Sequence, residues 1–108
     1  MKEIQSIEEW KAVHEQSKST PVFVIKHSST CPISAAGYRV FEAFRTSIPK
    51  YVVIVQRSRP VSNEIERDLG IRHESPQLFL LNEGQVTWHG SHYEISEMTI
   101  QTAVDAIQ

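Results

Sequence analysis

The residue in this chain best suited to covalent chemistry is Cys31, its one cysteine. It follows the polar run Ser-Ser-Thr at 28–30 and precedes Pro32. Proline favours the first position of a helix, because its ring presets φ and its missing N–H would have no partner there. We therefore expect Cys31 at a helix start, where free N–H groups and the helix dipole stabilise negative charge. The thiolate is the nucleophilic form of cysteine, so this position favours nucleophilic chemistry.

The alternative for Cys31 is burial as a small apolar residue. Polar residues precede it, Thr30 among them, and the apolar stripe of its helix begins only at Ile33, which favours an accessible thiol. Ser34 stands three positions on, where a dithiol enzyme has its resolving cysteine, so we expect chemistry through one thiol. The Ser34 hydroxyl could donate to the Cys31 thiolate across one helical turn, or be a solvated serine of the first turn.

The composition limits the other functions that this chain could have. Its 108 residues, 40% of them hydrophobic, suit a single domain over residues 1–108. A net charge of -2 without a basic stripe argues against nucleic acid as a partner. One cysteine, and histidines without metal-ligand spacing, predict no metal site and a reducing compartment. With no apolar stretch long enough to cross a bilayer, we expect a cytoplasmic protein.

Hydrophobic spacing predicts the elements that position Cys31. Ser6 and Glu9 form a capping-box pattern, which indicates a helix start. Short continuous apolar runs indicate strands buried on both faces. The chain has two such runs, and the segment between them has apolar residues at helical spacing. The predicted segments are a helix at 7–17, a strand at 22–25, a helix from 31 to about 48, and a strand at 51–55. This order forms a parallel β-α-β unit.

The second half of the chain changes pattern. A short helix carries Ile65 and Leu69 on one face and is closed by Gly70. Apolar runs at 78–81 and 86–89 flank a polar turn with a glycine, which predicts an antiparallel hairpin. Ser96 can cap a final helix. The resulting order resembles thioredoxin-like α/β domains: a four-stranded mixed sheet, βαβ then ββα, flanked by helices, here with an extra N-terminal helix.

Pro76 precedes the first hairpin strand. Thioredoxin-like domains have a cis-proline at this point that faces the cysteine, so the resemblance implies a cis Ser75–Pro76 bond. The backbone of Ser75 would then be free to pair with an extended thiol substrate. The alternative is an ordinary loop proline.

Three cations stand at the ends of the two central strands: Lys26, Arg57 and Arg59. Open α/β sheets bind ligands at this edge, so these side chains could hold an anionic thiol. We take Lys26 and Arg57, with Ser75 and Pro76, as predicted substrate-binding residues. The alternative for each cation is a solvated strand-end charge.

The segment at residues 23–36, FVIKHSSTCPISAA, resembles the active-site region of the monothiol bacilliredoxin family, the YtxJ-type proteins. The later segment SPQLFLLNEGQVTWHGSHYEIS contains the hairpin and the WHxSH-like run of that family. Within the TCPIS motif, Cys31 would be the nucleophile, with Thr30, Pro32 and Ser34 in supporting roles.

The resemblance implies a thiol-disulfide oxidoreductase that removes bacillithiol, a low-molecular-weight thiol, from proteins. Cys31 would attack the mixed disulfide of a bacillithiolated client protein, and a second low-molecular-weight thiol would regenerate it. Bacillithiol is then a co-substrate, and the reaction requires no metal, nucleotide or other cofactor.

Two other functions remain open from the sequence. Monothiol glutaredoxin-like proteins can hold an iron-sulfur cluster with one cysteine from each of two chains and glutathione, but that group has glycine and phenylalanine where this chain has Pro32 and Ile33. A non-catalytic thioredoxin-like module could present a peptide groove, with Cys31 incidental. The rate of Cys31 alkylation against pH separates this second alternative from catalysis.

Overall fold

Residues 1–108 are all described in a computed structural model, in which helices and strands alternate up to a hairpin of two consecutive strands near the end. A short 3-10 turn, His92–Glu94, precedes the last helix. The elements in chain order are β1 (Lys2–Glu3), α1 (Ile7–Gln16), β2 (Val22–His27), α2 (Pro32–Ala43), β3 (Lys50–Ile54), α3 (Arg59–Leu69), β4 (Gln77–Asn82), β5 (Gln85–Ser91) and α4 (Glu97–Ala106).

The sheet has five strands, in the order β1-β3-β2-β4-β5. The central pair is parallel, with Val24 opposite Tyr51, and β4 and β5 are antiparallel additions. This corrects the predicted four-stranded sheet, because the two residues of β1 pair in parallel with β3. The N–H of Ile4 continues this pairing, donating to the carbonyl of Val52 at 2.8 Å. A two-residue strand has no periodicity of its own, so it depends on its partner strand.

Two hydrophobic clusters cover the two faces of the sheet. Phe23 and Ile25 of β2 pack with residues of α2 and α4, and Val22 and Val24 pack with residues of α1 and α3. This alternation follows from the period of two in a strand. Every second residue of β2 therefore faces α2, and this alternation places His27, the last residue of β2, on the same face as Phe23 and Ile25.

Helix α2 ends at Ala43, earlier than the predicted end near residue 48. Phe44 takes an extended conformation with ψ 124°, so the helix does not continue through it. Phe44 and Ile48 are nevertheless buried in the core, which is why the apolar pattern in the sequence extended past the end of the helix. Lys50 stabilises this end, because its Nζ donates to the carbonyls of Phe41 at 2.7 Å and Phe44 at 2.5 Å. These are carbonyl groups that a helix C-terminus leaves without partners.

The hairpin turn is tighter than its polar sequence indicated. Only Glu83 and Gly84 separate the strands, and both have positive φ, 56° and 79°, as two-residue hairpin turns of the primed type require. Asn82 and Gln85 are already paired with each other. Gly70 ends α3 in the left-handed conformation, with φ 67°, as predicted. None of the helices has the length and apolar character needed to cross a membrane.

Candidate functional site

Cys31 is the N-cap residue of α2, directly after the loop that leaves β2. Pro32 occupies the first helical turn, as predicted from its ring. The Cys31 carbonyl accepts the N–H of Ala35 at 2.9 Å, while its side chain makes no capping hydrogen bond. The thiol is free and partly exposed. A nucleophilic sulfur therefore lies at the end of the helix where backbone N–H groups have no carbonyl partners.

The loop before Cys31 is held by Gln56, which follows β3. The Gln56 amide donates to Ser28 Oγ at 2.8 Å and Thr30 Oγ1 at 3.1 Å, and its Oε1 accepts the N–H of Ser29 at 3.2 Å. One side chain thus contacts three consecutive residues of the loop. The sequence analysis missed Gln56, although a polar residue directly after a buried strand at this sheet edge was a usable signal.

Ser34 is fully buried, which rules out a solvated first-turn serine. Its Oγ accepts the N–H of Ser28 at 2.9 Å and lies 2.9 Å from Nδ1 of His27. Its hydrogen bonds thus go to the end of β2 and the following loop, and not to the Cys31 sulfur as the sequence suggested. The side chain where a dithiol enzyme has its second sulfur is part of a buried polar network.

His27 is a second residue of the site that the sequence analysis missed. Its ring stacks on Tyr38 of α2, with centroids 4.5 Å apart and an angle of 24° between the planes. Burial lowers the pKa of His27, and an interaction with the backbone of Ser34 acts in the opposite direction. Burial also raises the pKa of Tyr38. At neutral pH both rings are therefore uncharged, and the His27 ring has one donor and one acceptor nitrogen.

The Ser75–Pro76 peptide bond is cis, as the fold resemblance implied. Pro76 packs on α2 at Gly37, where an added Cβ would lie 3.2 Å from Pro76 Cγ. The Pro76 carbonyl accepts the N–H of His92 at 3.1 Å, which ties the proline to the turn after β5. The Ser75 hydroxyl is buried without a hydrogen-bond partner. The structure thus brings the cis-proline against the helix that Cys31 begins.

Lys26 does not lie with Cys31, which corrects its predicted role in binding an anionic substrate. Its side chain is fully buried on the α3 face of the sheet, where Nζ donates to the Ser62 carbonyl at 3.0 Å. Nζ also lies 3.2 Å from His73 Nδ1. Burial lowers the pKa of Lys26 to about 8, against the opposing effect of Glu66. The alternation of β2 that directs His27 toward α2 directs Lys26 away from it.

Arg57 is exposed and turned toward β1. Its Nη1 lies 3.1 Å from Glu3 Oε1, in an ion pair beside the outer strand of the sheet. Arg59 begins α3. In this structure Arg57 pairs with Glu3, and the binding of substrate by Arg57 stays a prediction.

Two comparisons with known proteins bear on the family of this chain. The family model described as "Monothiol bacilliredoxin BrxC" matches residues 2–100. A solved structure, described as a proposed oxidoreductase with a thioredoxin fold, is 36% identical over 95% of this chain and 92% of that chain, with a TM-score of 0.88.

Solved thioredoxins share the fold at lower identity. The protein from Fasciola hepatica is 11% identical, with all of both chains covered and a TM-score of 0.79. The protein from Malassezia sympodialis is 20% identical over 98% of this chain and 89% of that chain, with a TM-score of 0.74. The family match includes the site from His27 through Cys31 to Pro76. This chain belongs to the monothiol bacilliredoxin family of thioredoxin-fold oxidoreductases.

Proposed function

We propose that this protein removes bacillithiol, or a similar low-molecular-weight thiol, from mixed disulfides on client proteins, with Cys31 as the nucleophile. The observation that carries the proposal is the position of the one thiol: partly exposed, at the N-cap of α2, with a buried serine where a second thiol would stand. Family membership supports bacillithiol as the small thiol.

The N-terminus of α2 activates the sulfur. Pro32 has no N–H, so the N–H groups of Ile33 and Ser34 are the first that the helix directs toward its N-cap. They and the helix dipole stabilise a thiolate at Cys31. The Gln56 contacts hold residues 28–30, so the sulfur is positioned before substrate arrives.

The exchange consists of two steps with no net loss of electrons from the protein. In the first, the Cys31 thiolate attacks the bacillithiol sulfur of the client's mixed disulfide, forming a new S–S bond as the client thiolate leaves and takes a proton from water. In the second, the thiolate of another low-molecular-weight thiol attacks that same sulfur, forming a disulfide between the two small thiols and releasing the Cys31 thiolate. Each step breaks one S–S bond and forms one, and thus needs no metal or cofactor.

Main-chain pairing explains how one enzyme could accept many clients. In our proposal, the backbone of Ser75 pairs in antiparallel fashion with the extended segment that bears the modified cysteine. Pro76 holds this segment of backbone against α2 through its contact at Gly37. We place the reaction in the cytoplasm, where a reducing thiol pool keeps Cys31 reduced and supplies the second thiol.

The test uses a client protein with one accessible cysteine, prepared in three forms: bacillithiolated, cysteinylated and modified with coenzyme A. Each form is incubated with the reduced wild-type protein or with Cys31→Ser, and the intact masses of both partners are followed. We expect the bacillithiol adduct to move from the client to the wild-type protein, faster than the other two adducts, with Cys31→Ser inactive toward all three.

The outcomes separate the parts of the proposal. If the wild-type protein leaves all three adducts on the client, the proposed activity is wrong. If the cysteine or coenzyme A adduct is removed faster than the bacillithiol adduct, the proposed reaction is correct but its small-thiol substrate is not bacillithiol. Removal by Cys31→Ser would show that Cys31 is not the nucleophile.

A further inference from the structure

We propose that His27 is a positioning residue for Cys31, because the proton on its Nδ1 decides whether the Ser34 hydroxyl is free to donate to the Cys31 thiolate. This inference rests on the proposed function for the role of the thiolate. The hydrogen-bond switch itself follows from the arrangement of His27, Ser34 and Ser28.

A single hydroxyl can form only a limited number of hydrogen bonds. Ser34 Oγ has one hydrogen to donate and two lone pairs to accept with. The Ser28 N–H, at 2.9 Å, occupies one lone pair, and that donor cannot change. The contact with His27 Nδ1, also at 2.9 Å, uses either the hydrogen or the second lone pair. The protonation of one ring nitrogen makes the choice.

Each state of Nδ1 has a different consequence for the thiol. When Nδ1 carries no proton, the Ser34 hydrogen is donated to it and none remains for Cys31. When Nδ1 is protonated, as it always is in the imidazolium, it donates to Ser34, and the hydroxyl hydrogen is free. Ser34 is fully buried, so bulk water does not take that hydrogen. Cys31 is the N-cap residue of α2 and Ser34 is its third helical residue, the two positions that lie together at a helix start in a capping box.

The residue that stacks on the His27 ring and its neighbour on β3 are both uncharged. Tyr38 of α2 covers its ring and is uncharged at neutral pH, and the neighbouring residue on β3, Ile54, has no charge. Lys26, the preceding residue, points to the opposite face of the sheet. Two carboxylates, Glu42 of α2 and Glu3 of β1, act on the pKa of Tyr38, and no carboxylate acts on that of His27.

Coupling of this kind is reciprocal. A protonated His27 stabilises the Cys31 thiolate through Ser34, and the thiolate in turn holds the proton on His27. The two groups then lose their protons in two shared steps. In mildly acidic solution the protein keeps more of its nucleophilic form than a lone thiol would.

The first test follows the rate of Cys31 alkylation by iodoacetamide from about pH 5 to about pH 9, without any client protein. We expect two inflections for the wild-type protein. We expect one for His27→Phe, which keeps a ring against Tyr38 but has no nitrogen, and one for Ser34→Ala. At about pH 5.5 both variants should react roughly tenfold more slowly than wild type, the range expected for losing a hydrogen bond to a charged group.

His89→Phe is the matched control, since His89 is an exposed histidine on β5, and it should keep both inflections. A single inflection in the wild-type protein, or two in His27→Phe, would overturn the proposal. Thermal melting of each variant identifies loss of structure, and Ser34→Ala provides an independent test if His27→Phe does not fold.

The second test measures how the state of Cys31 changes the titration of His27. The His27 ring is titrated by NMR in the wild-type protein before and after Cys31 is alkylated with iodoacetamide, which leaves a neutral adduct. We expect the midpoint of the His27 titration to fall after alkylation, because the thiolate that held the proton is gone. An unchanged midpoint would contradict the proposal, whether or not the protein removes bacillithiol from clients.

Discussion

Gly37 of α2 lies directly against Pro76, since a Cβ on Gly37 would come within 3.2 Å of Pro76 Cγ and 3.5 Å of Ile95 Cδ1. The lack of a side chain at this position lets the helix that Cys31 begins approach the segment that holds Ser75. The thiol and the proposed substrate backbone therefore belong to one packed unit. The size of residue 37 sets the separation between them.

The first prediction concerns a larger side chain at Gly37, in the contact with Pro76. Gly37→Val should lower the free energy of unfolding by about 2 kcal/mol, because overpacking a close contact typically costs about 1–3 kcal/mol. It should also slow removal of the small thiol, as α2 and the Pro76 segment move apart. Urea unfolding and single-turnover transfer measure the two effects. Ala36→Val, on the exposed side of α2, is the control and should change the transfer rate little. Equal effects of the two substitutions would show that the Gly37 contact is unimportant.

The second prediction concerns the Gln56 contacts with the loop before Cys31. Gln56→Ala removes the acceptor of the Ser29 N–H, so amide exchange at Ser29 should become roughly five- to tenfold faster, since a hydrogen bond contributes about 1 kcal/mol. Because Gln56 is exposed, global stability should change little. Hydrogen exchange followed by NMR provides the measurement. Gln85→Ala, at an exposed position of β5, should leave Ser29 unchanged, and an unaltered Ser29 rate in Gln56→Ala would count against the proposed positioning role.

The third prediction concerns the buried Lys26. Its pKa is about 8 in the folded chain, against an ordinary value of 10.5. Between these values the unfolded chain binds more protons than the folded one, so the free energy of unfolding should rise with pH. The rise attributable to Lys26 is at most about 3 kcal/mol, because each pKa unit corresponds to about 1.4 kcal/mol.

Denaturant unfolding at several pH values in this window tests the Lys26 contribution. The rise should be smaller in Lys26→Met than in the wild-type protein, and the difference between the two curves isolates this residue from other titrating groups. Lys11→Met is the control, since Lys11 is largely exposed and should leave the wild-type slope intact. The same slope in Lys26→Met and wild type would contradict the assignment.

The fourth prediction tests why the chemistry uses one thiol. Ser34→Cys places a second sulfur at the third helical residue, beside the N-cap residue Cys31 at the start of α2. An adduct on Cys31 should then be displaced by the introduced thiol, and intact mass should show loss of two hydrogens instead of a retained small thiol. Ala36→Cys, which points away from Cys31, should retain the adduct. A stable adduct on Ser34→Cys would show that the helix start cannot close a disulfide.

Local rules accounted for most of the elements. Pro32 marked the start of α2, Gly70 the end of α3, and Ser96 the start of α4, because each acts through its own backbone or through residues one turn away. The prediction failed where a distant partner decides the conformation. Phe44 and Ile48 continued the apolar pattern past the true end of α2, and Lys50 from the next strand binds the carbonyls there.

The face of the sheet on which each residue at the end of β2 lies could be predicted from the sequence. Strict alternation along β2 places Lys26 with Val22 and Val24, and His27 with Phe23, as the structure has them. Lys26 was predicted as a site residue from its charge alone, whereas the alternation of side chains along β2 would have predicted His27 on the face of α2. The hydrogen bond between Nδ1 of His27 and the Ser34 hydroxyl could not be predicted in this way, since it depends on how α2 packs against the strand.

By itself, the sequence determined that the protein has one thiol, and that this thiol begins a helix after a buried strand. Residue counts, apolar runs and the fixed φ of proline are properties of the chain alone. Only the tertiary structure decided that Ser34 binds His27 and Ser28, that Gln56 holds the loop before Cys31, and that Gly37 meets Pro76. These contacts join different elements of the fold, and their geometry follows from how helices and loops pack against one sheet.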